Sequence, residues 1–115
     1  MLAKRYRLSK NKDFAKLARR GQAAFVRDLG FKWIKNNLPY SRFGIIVSLK
    51  VDKRAVVRNR VKRVIRAILK ENLSQIVKGY DFLILTKAGI KESNYREIKN
   101  KLLNILKRND LVIGP

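Results

Sequence analysis

The chain has 115 residues, enough for one hydrophobic core and too few for two. Its 29 Lys and Arg stand against 8 Asp and Glu, a net charge of +21, so it draws phosphate polymers by steering and counterion release, with nucleic acid ahead of an anionic membrane surface as partner. With Cys 0 and His 0, disulfides, zinc sites of the Cys/His kind and imidazole acid–base chemistry are excluded.

Residues 1–7 are basic and are expected to stay loosely ordered until a partner is met. Ser9 or Asn11 is expected to cap a helix of about ten residues that carries Phe14 and Leu17 on one side and ends at Gly21. From Ala23 to Ile34 the period changes to two, with Leu29, Phe31 and Trp33 set against Gly30, Lys32 and Ile34, which predicts one strand or a pair of short ones. Residues 36–41 are turn material. A strand over Phe43 to Leu49 follows, with Phe43, Ile45, Val47 and Leu49 on one face and Ile46 and Ser48 on the other. A helix is predicted from Val56 to Ile76 or Val77, closed by Gly79. Tyr80 to Thr86 is apolar on both faces, as a central strand should be. Asn94 with Glu97 three residues on is a capping signal for a last helix bearing Tyr95, Ile98, Leu102, Ile105 and Leu106. The order α-β-β-β-α-β-α predicts an α/β (α+β) fold, a single mixed sheet packed with helices, in one domain over residues 1–115. No apolar run approaches the roughly 20 residues of a membrane span and no signal-peptide core is present, so a cytoplasmic protein with no membrane partner is expected.

The most informative stretch is Arg54 to Arg66. At about 100° per residue, Val57, Val61, Val64, Ile65 and Ile68 fall on one side of a helix, while Asn59, Lys62, Arg63, Arg66 and Lys70 cluster on the other. Arg58, Lys62, Arg66 and Lys70 follow at i, i+4 spacing, where like charges repel by roughly 0.2–0.5 kcal/mol per pair. No acid lies between Lys53 and Lys70 to relieve that repulsion. An external polyanion would remove the cost, which marks the ladder as a binding surface.

Catalysis by the polypeptide has little to work with. The carboxylates of Asp13, Asp28, Asp52, Glu71, Asp81, Glu92, Glu97 and Asp110 are scattered, and no phosphate-binding glycine loop occurs. No catalytic residue, protein metal site or organic cofactor is therefore expected. For RNA, the Arg donors suit phosphates and base edges, and Phe14, Phe25, Trp33, Tyr40, Phe43 and Tyr95 are candidate stacking platforms. Most aromatics in so small a domain belong to the core, Trp33 among them. Phe14, among Lys10, Lys12 and Lys16, is the best exception.

The run Ala55-Val56-Val57-Arg58-Asn59-Arg60-Val61-Lys62-Arg63-Val64-Ile65-Arg66 resembles the Arg-Asn-Arg signature of the bacterial ribonuclease P protein subunits. Two flanking motifs agree in order. Arg7-Leu8-Ser9-Lys10-Asn11-Lys12-Asp13-Phe14 is similar to that family's lead into its first helix, and Gly44-Ile45-Ile46-Val47-Ser48-Leu49-Lys50 is similar to its Gly-x-x-Val-Ser-x-Lys strand. The resemblance covers almost the whole chain.

The resemblance implies a left-handed βαβ crossover, against the usual right-handed rule. It implies a ribonucleoprotein endonuclease, a hydrolase of tRNA processing in which a catalytic RNA subunit cleaves precursor tRNA with Mg²⁺ held mainly by RNA and substrate. The protein binds that RNA and the single-stranded 5′ leader, and is inactive alone. On this chain it implies Arg58, Asn59, Arg60, Lys62, Arg63, Arg66, Ser48 and Lys50 as contacts to the catalytic RNA, and Phe14, Lys10 and Lys32 as contacts to the leader. The chain departs from the family pattern at Ala18 and Lys32, where aromatics are usual, and over Lys50 to Ala55, which reads one residue longer. Leader affinity is thus expected to lean on charge more than on stacking. A ribosomal-type RNA-packaging protein shares the charge and size but has no need of these ordered motifs. A duplex-DNA architectural protein is a weaker alternative, and a self-sufficient nuclease lacks the carboxylate cluster or histidine it would use.

Overall fold

The computed structural model describes residues 2–113. The elements are α1 (Asn11–Arg20), β1 (Gln22–Val26), β2 (Leu29–Lys35), β3 (Arg42–Ile46), α2 (Ala55–Glu71), β4 (Tyr80–Thr86) and α3 (Tyr95–Arg108), in the predicted α-β-β-β-α-β-α order. They form one four-stranded mixed sheet ordered β1-β2-β4-β3. β1 with β2 and β2 with β4 are antiparallel, whereas β3 and β4 are parallel, so α2 is the crossover between parallel neighbours.

Alternation along the strands divides the side chains between two layers. Leu29, Phe31 and Trp33 of β2, Phe43 of β3, and Phe82 and Ile84 of β4 meet α2 and α3 in the main core, with Val61, Ile65, Ile68 and Leu69 from α2 and Ile98, Leu102, Ile105 and Leu106 from α3. At its centre the Phe82 ring stacks on Phe43 with centroids 5.3 Å apart and meets Phe31 edge-on at 6.0 Å. The opposite layer is smaller: α1 places Leu17 and Phe14 against Leu8, Leu83, Ile34 and Leu85. Asp81, buried on this second face, accepts two hydrogen bonds from Arg42 at 2.8 and 2.7 Å, and Arg42 also reaches Asp13 of α1 at 3.5 Å. The Asp81 carboxylate, by hydrogen bond, raises the Arg42 pKa further above its ordinary value. That bridge pins α1 to the sheet.

Several expectations are corrected. Residues 2–7 are folded rather than loose: Leu2 is buried in the main core, Lys4–Tyr6 makes a 3-10 turn, and Arg7 bridges Phe43. The cause is an apolar anchor at Leu2 and an unpaired sheet edge at β3, where Leu8 N–H donates to the Phe43 carbonyl at 2.8 Å. Neither Ser9 nor Asn11 caps α1, whose N-cap is Lys10 with no side-chain cap bond. Gly21 ends α1 in extended backbone at φ −68° rather than in the left-handed region, and a Cβ there would lie 2.6 Å from the Leu17 carbonyl oxygen. β3 stops at Ile46, and Leu49 stands exposed in the following turn instead of sharing the face of Phe43. α2 ends at Glu71 because Asn72 folds its side-chain amide back onto the Ile68 carbonyl at 2.8 Å. Leu73–Gln75 then turns in 3-10 form, and Gly79, at φ +85°, leads into β4. The α3 start is as predicted, a complete capping box between Asn94 and Glu97.

Candidate nucleic-acid interface

α2 is amphipathic in the way its sequence predicts. Val61, Ile65, Ile68 and Leu69 are buried, Val57 and Val64 are half-buried at the margin, and Asn59, Arg60, Arg63 and Lys70 are exposed. Lys62 and Arg66 lie half-buried along one flank. Among the described residues, none of Arg58, Lys62, Arg63 and Arg66 has a carboxylate partner. The i, i+4 repulsion is left standing.

The start of α2 is held by a group that the sequence motifs did not single out. Asp52 accepts from the Arg54 guanidinium at 3.0 Å, from the Arg54 backbone N–H at 2.8 Å and from the Lys91 ammonium at 3.2 Å. The Arg54 guanidinium first, then the backbone N–H, hold the Asp52 carboxyl well below the usual carboxylate range. Its signal is local and weak: an acid two residues before an Arg, at a helix start.

Arg58 donates to the Asp52 and Lys53 carbonyls at 3.0 and 2.8 Å, and Arg60 donates to the Lys91 carbonyl at 2.6 Å. Each guanidinium has five N–H donors, so both anchor their loops and keep donors for a ligand. Ser48 Oγ accepts from the Lys50 N–H at 3.2 Å, a turn that leaves the Lys50 side chain in solvent.

Across β3 lie the residues assigned to the leader. Phe14 is half-buried and rests on Gly44, where an added Cβ would come 2.6 Å from the ring. Phe14 and Arg66 line one cavity of about 220 Å³ together with Arg7, Leu8 and Gly44, so the first helix and the signature helix share a groove at the β3 edge. Lys10 is exposed at the N-cap of α1. The Lys32 ammonium donates to the Ala18 carbonyl at 3.4 Å, so the two positions that depart from the aromatic pattern touch each other. Among the other candidate stackers, Trp33 and Phe43 are buried in the main core, whereas Phe25 is 55% exposed. Tyr95 is half-buried and its hydroxyl donates to Glu71, which joins α3 to the end of α2 and raises the Tyr95 pKa. Among the described residues no three His, Cys, Asp or Glu side chains converge as a metal-ligand set, and no helix is long and apolar enough to cross a membrane.

A mixed sheet whose crossover helix turns a cationic ladder outward defines a strongly basic α/β protein. The sequence model of the family described as Ribonuclease P matches residues 2–110. The chain is 37% identical over 115 residues to the ribonuclease P protein component of Pseudanabaena sp. (strain PCC 6903), covering 99% of each. It is 35% identical over 109 residues to that of Geobacillus kaustophilus (strain HTA426), covering 94% of this chain and 89% of the relative. Among solved structures, the Staphylococcus aureus RNase P protein at 2.0 angstrom superposes with a TM-score of 0.84 at 31% identity, covering 92% of this chain and 96% of that one. The RNase P protein from Thermotoga maritima gives a TM-score of 0.81 at 32% identity, covering 89% and 96%. The chain belongs to the ribonuclease P protein family, and so is an RNA-binding subunit of a tRNA-processing ribonuclease whose partner is ribonuclease P RNA.

Proposed function

We propose that this protein binds the catalytic RNA of ribonuclease P through α2 and the single-stranded 5′ leader of precursor tRNA through the groove beside α1, assisting endonucleolytic removal of the leader. The observation that carries the reading is the shared cavity of Arg66 and Phe14, which brings the cationic ladder and the half-buried aromatic to one edge of the sheet. Arg58, Asn59, Arg60, Lys62, Arg63 and Arg66, with Ser48 and Lys50 beside the start of the helix, take the RNA subunit by phosphate and base-edge contacts. Phe14 offers a ring to an unpaired base, while Lys10 and Lys32 attract the leader backbone.

The chemistry of cleavage belongs to the RNA subunit, with Mg²⁺ held mainly by RNA and substrate. This chain's side chains position the two RNAs and screen their mutual repulsion, which lowers the Mg²⁺ concentration that assembly needs. The reaction is cytoplasmic, and the protein alone is inactive. The test is cleavage of a 5′-extended precursor tRNA by the cognate ribonuclease P RNA at low millimolar Mg²⁺, with and without the protein, beside a protein-only control. Stimulated cleavage at the mature 5′ end, with none from protein alone, is the expected result. Tight RNA binding without stimulation would favour a packaging protein of ribosomal type.

A further inference from the structure

The second face of the sheet is organised in three rows of side chains running across the strands, and α1 covers two of them. Ile34, Asp81 and Arg42 form the first row, held under α1 by the Arg42–Asp13 contact. Ala23, Lys32, Leu83 and Gly44 form the second, capped where Lys32 reaches Ala18 and where Phe14 rests on Gly44. The third is Phe25, Gly30, Leu85 and Ile46. Its outer members are bare: Phe25 is 55% and Ile46 40% exposed, and Leu85, at the margin of the layer that α1 covers, is half-buried between them.

The bare row is built around one close approach. A Cβ added to Gly30 would lie 2.7 and 2.8 Å from Cδ1 and Cε1 of Phe25, so the ring lies directly on the glycine. Lys87, just beyond β4, holds its ammonium 5.5 Å from the Phe25 ring centroid. The carboxylate of Asp28, in the hairpin turn beside Phe25, is engaged by Lys101 at 2.9 Å, while Arg27 in the same turn is exposed. The apolar strip is therefore flanked by cations at the hairpin end. At the Ile46 end the chain continues into Ser48 and Lys50, beside the start of α2. Three strand spacings of about 4.8 Å separate the two ends, a path of about 14 Å.

We infer that Phe25, seated on Gly30 beneath Lys87, is a second stacking platform for the single-stranded leader, which crosses the bare row from the Phe14 groove. An RNA strand fits this surface better than a second copy of the chain, because the copy would bring net charge of the same sign, +21, to the same cations. The platform supplies the aromatic surface missing at Ala18 and Lys32, one row away and on a different strand. The inference rests on the leader-binding reading above.

The experiment uses holoenzyme reconstituted with the cognate RNA and precursor tRNAs carrying leaders of increasing length, with affinity compared against mature tRNA. Wild-type protein that fails to prefer precursor over mature tRNA would remove the leader reading itself. Given that preference, Phe25→Leu should lose about tenfold in affinity for long leaders, the scale of one base–aromatic stack, and nothing for mature tRNA or a one-nucleotide leader. Gly30→Ala should reproduce the loss by displacing the ring, and Phe25→Trp should restore binding. In the wild type, 2-aminopurine placed along the leader should report two stacked positions, and Phe25→Leu should abolish the signal of one while leaving the other, at Phe14, in place. Unchanged affinity at every length, equal loss for mature tRNA, or a changed sedimentation coefficient of the free protein with leader binding intact would overturn the assignment.

Discussion

The two faces of the sheet have the same strand alternation but are covered differently. One is sealed by α2 and α3 around Phe31, Phe43 and Phe82, and its apolar side chains are spent on stability. The other is sealed only as far as α1 reaches, leaving Phe25 and Ile46 in solvent among cations. An apolar side chain is thus part of the core or open to solvent according to whether a helix lies over it. Phe14, half-buried on Gly44, stands at the boundary between the covered and the open part.

The largest effect is expected on the sealed face. Phe82→Ala should cost about 3–5 kcal/mol of unfolding free energy by urea titration, since the ring is fully buried between two others. A loss under about 2 kcal/mol would mean that this face is not the main source of stability. Truncation at the boundary should divide its effect. Phe14→Ala should cost about 1 kcal/mol in the same titration and should weaken binding of precursor over mature tRNA about fivefold. Equal loss for both tRNAs would remove the leader role.

On the cationic ladder, Arg58→Ala combined with Arg63→Ala should weaken binding of ribonuclease P RNA and lower the salt slope of log Kd by about 2. The single variants sharpen this. Arg63 is exposed, with no ion pair among the described residues, and should leave the melting curve unchanged, whereas Arg58 also ties down the Asp52 and Lys53 carbonyls and should cost about 1 kcal/mol. Asn94→Ala removes the capping box of α3 and should cost about 1 kcal/mol with no change in RNA affinity.

The smallest effect is acid-dependent. Because folding depresses the Asp52 pKa through Arg54 and Lys91, its contribution is whole above the ordinary carboxylate value of about 4 and fades as pH falls from there. The stability gap between wild type and Asp52→Asn should hold steady from about pH 5 to 8 and narrow below about pH 4. A gap that stays constant down to about pH 3 would count against the clamp.

What could be read in the sequence was set by periodicity and local chemistry. The two sides of α2, the doubly apolar β4 and the Asn94–Glu97 box each have a signal within a few residues, and each stands in the structure as predicted. The end of α2 did not, because Leu73, Ile76 and Val77 continue the apolar pattern while the Asn72 amide closes the helix onto Ile68. Leu2 and Arg7 were hidden for a different reason: their partners lie far along the chain. The carbonyls that engage Arg58 and Arg60 carry no side-chain signal, so the structure alone shows that these two arginines brace loops. Phe25 stood among many candidate stackers until the register placed it on Gly30, clear of α1.

Leu2 and Leu111 lie in one and the same core, beside residues of α2 and α3. Both ends of the described chain must therefore converge before the interior is dry, and Arg7 must find Phe43 across the whole β1–β2 hairpin. Such long-range closure slows folding relative to helical bundles of similar size. It also leaves no autonomous half to excise: cutting the polypeptide between β3 and α2 would strand an edge strand and open the hydrophobic interior on both fragments.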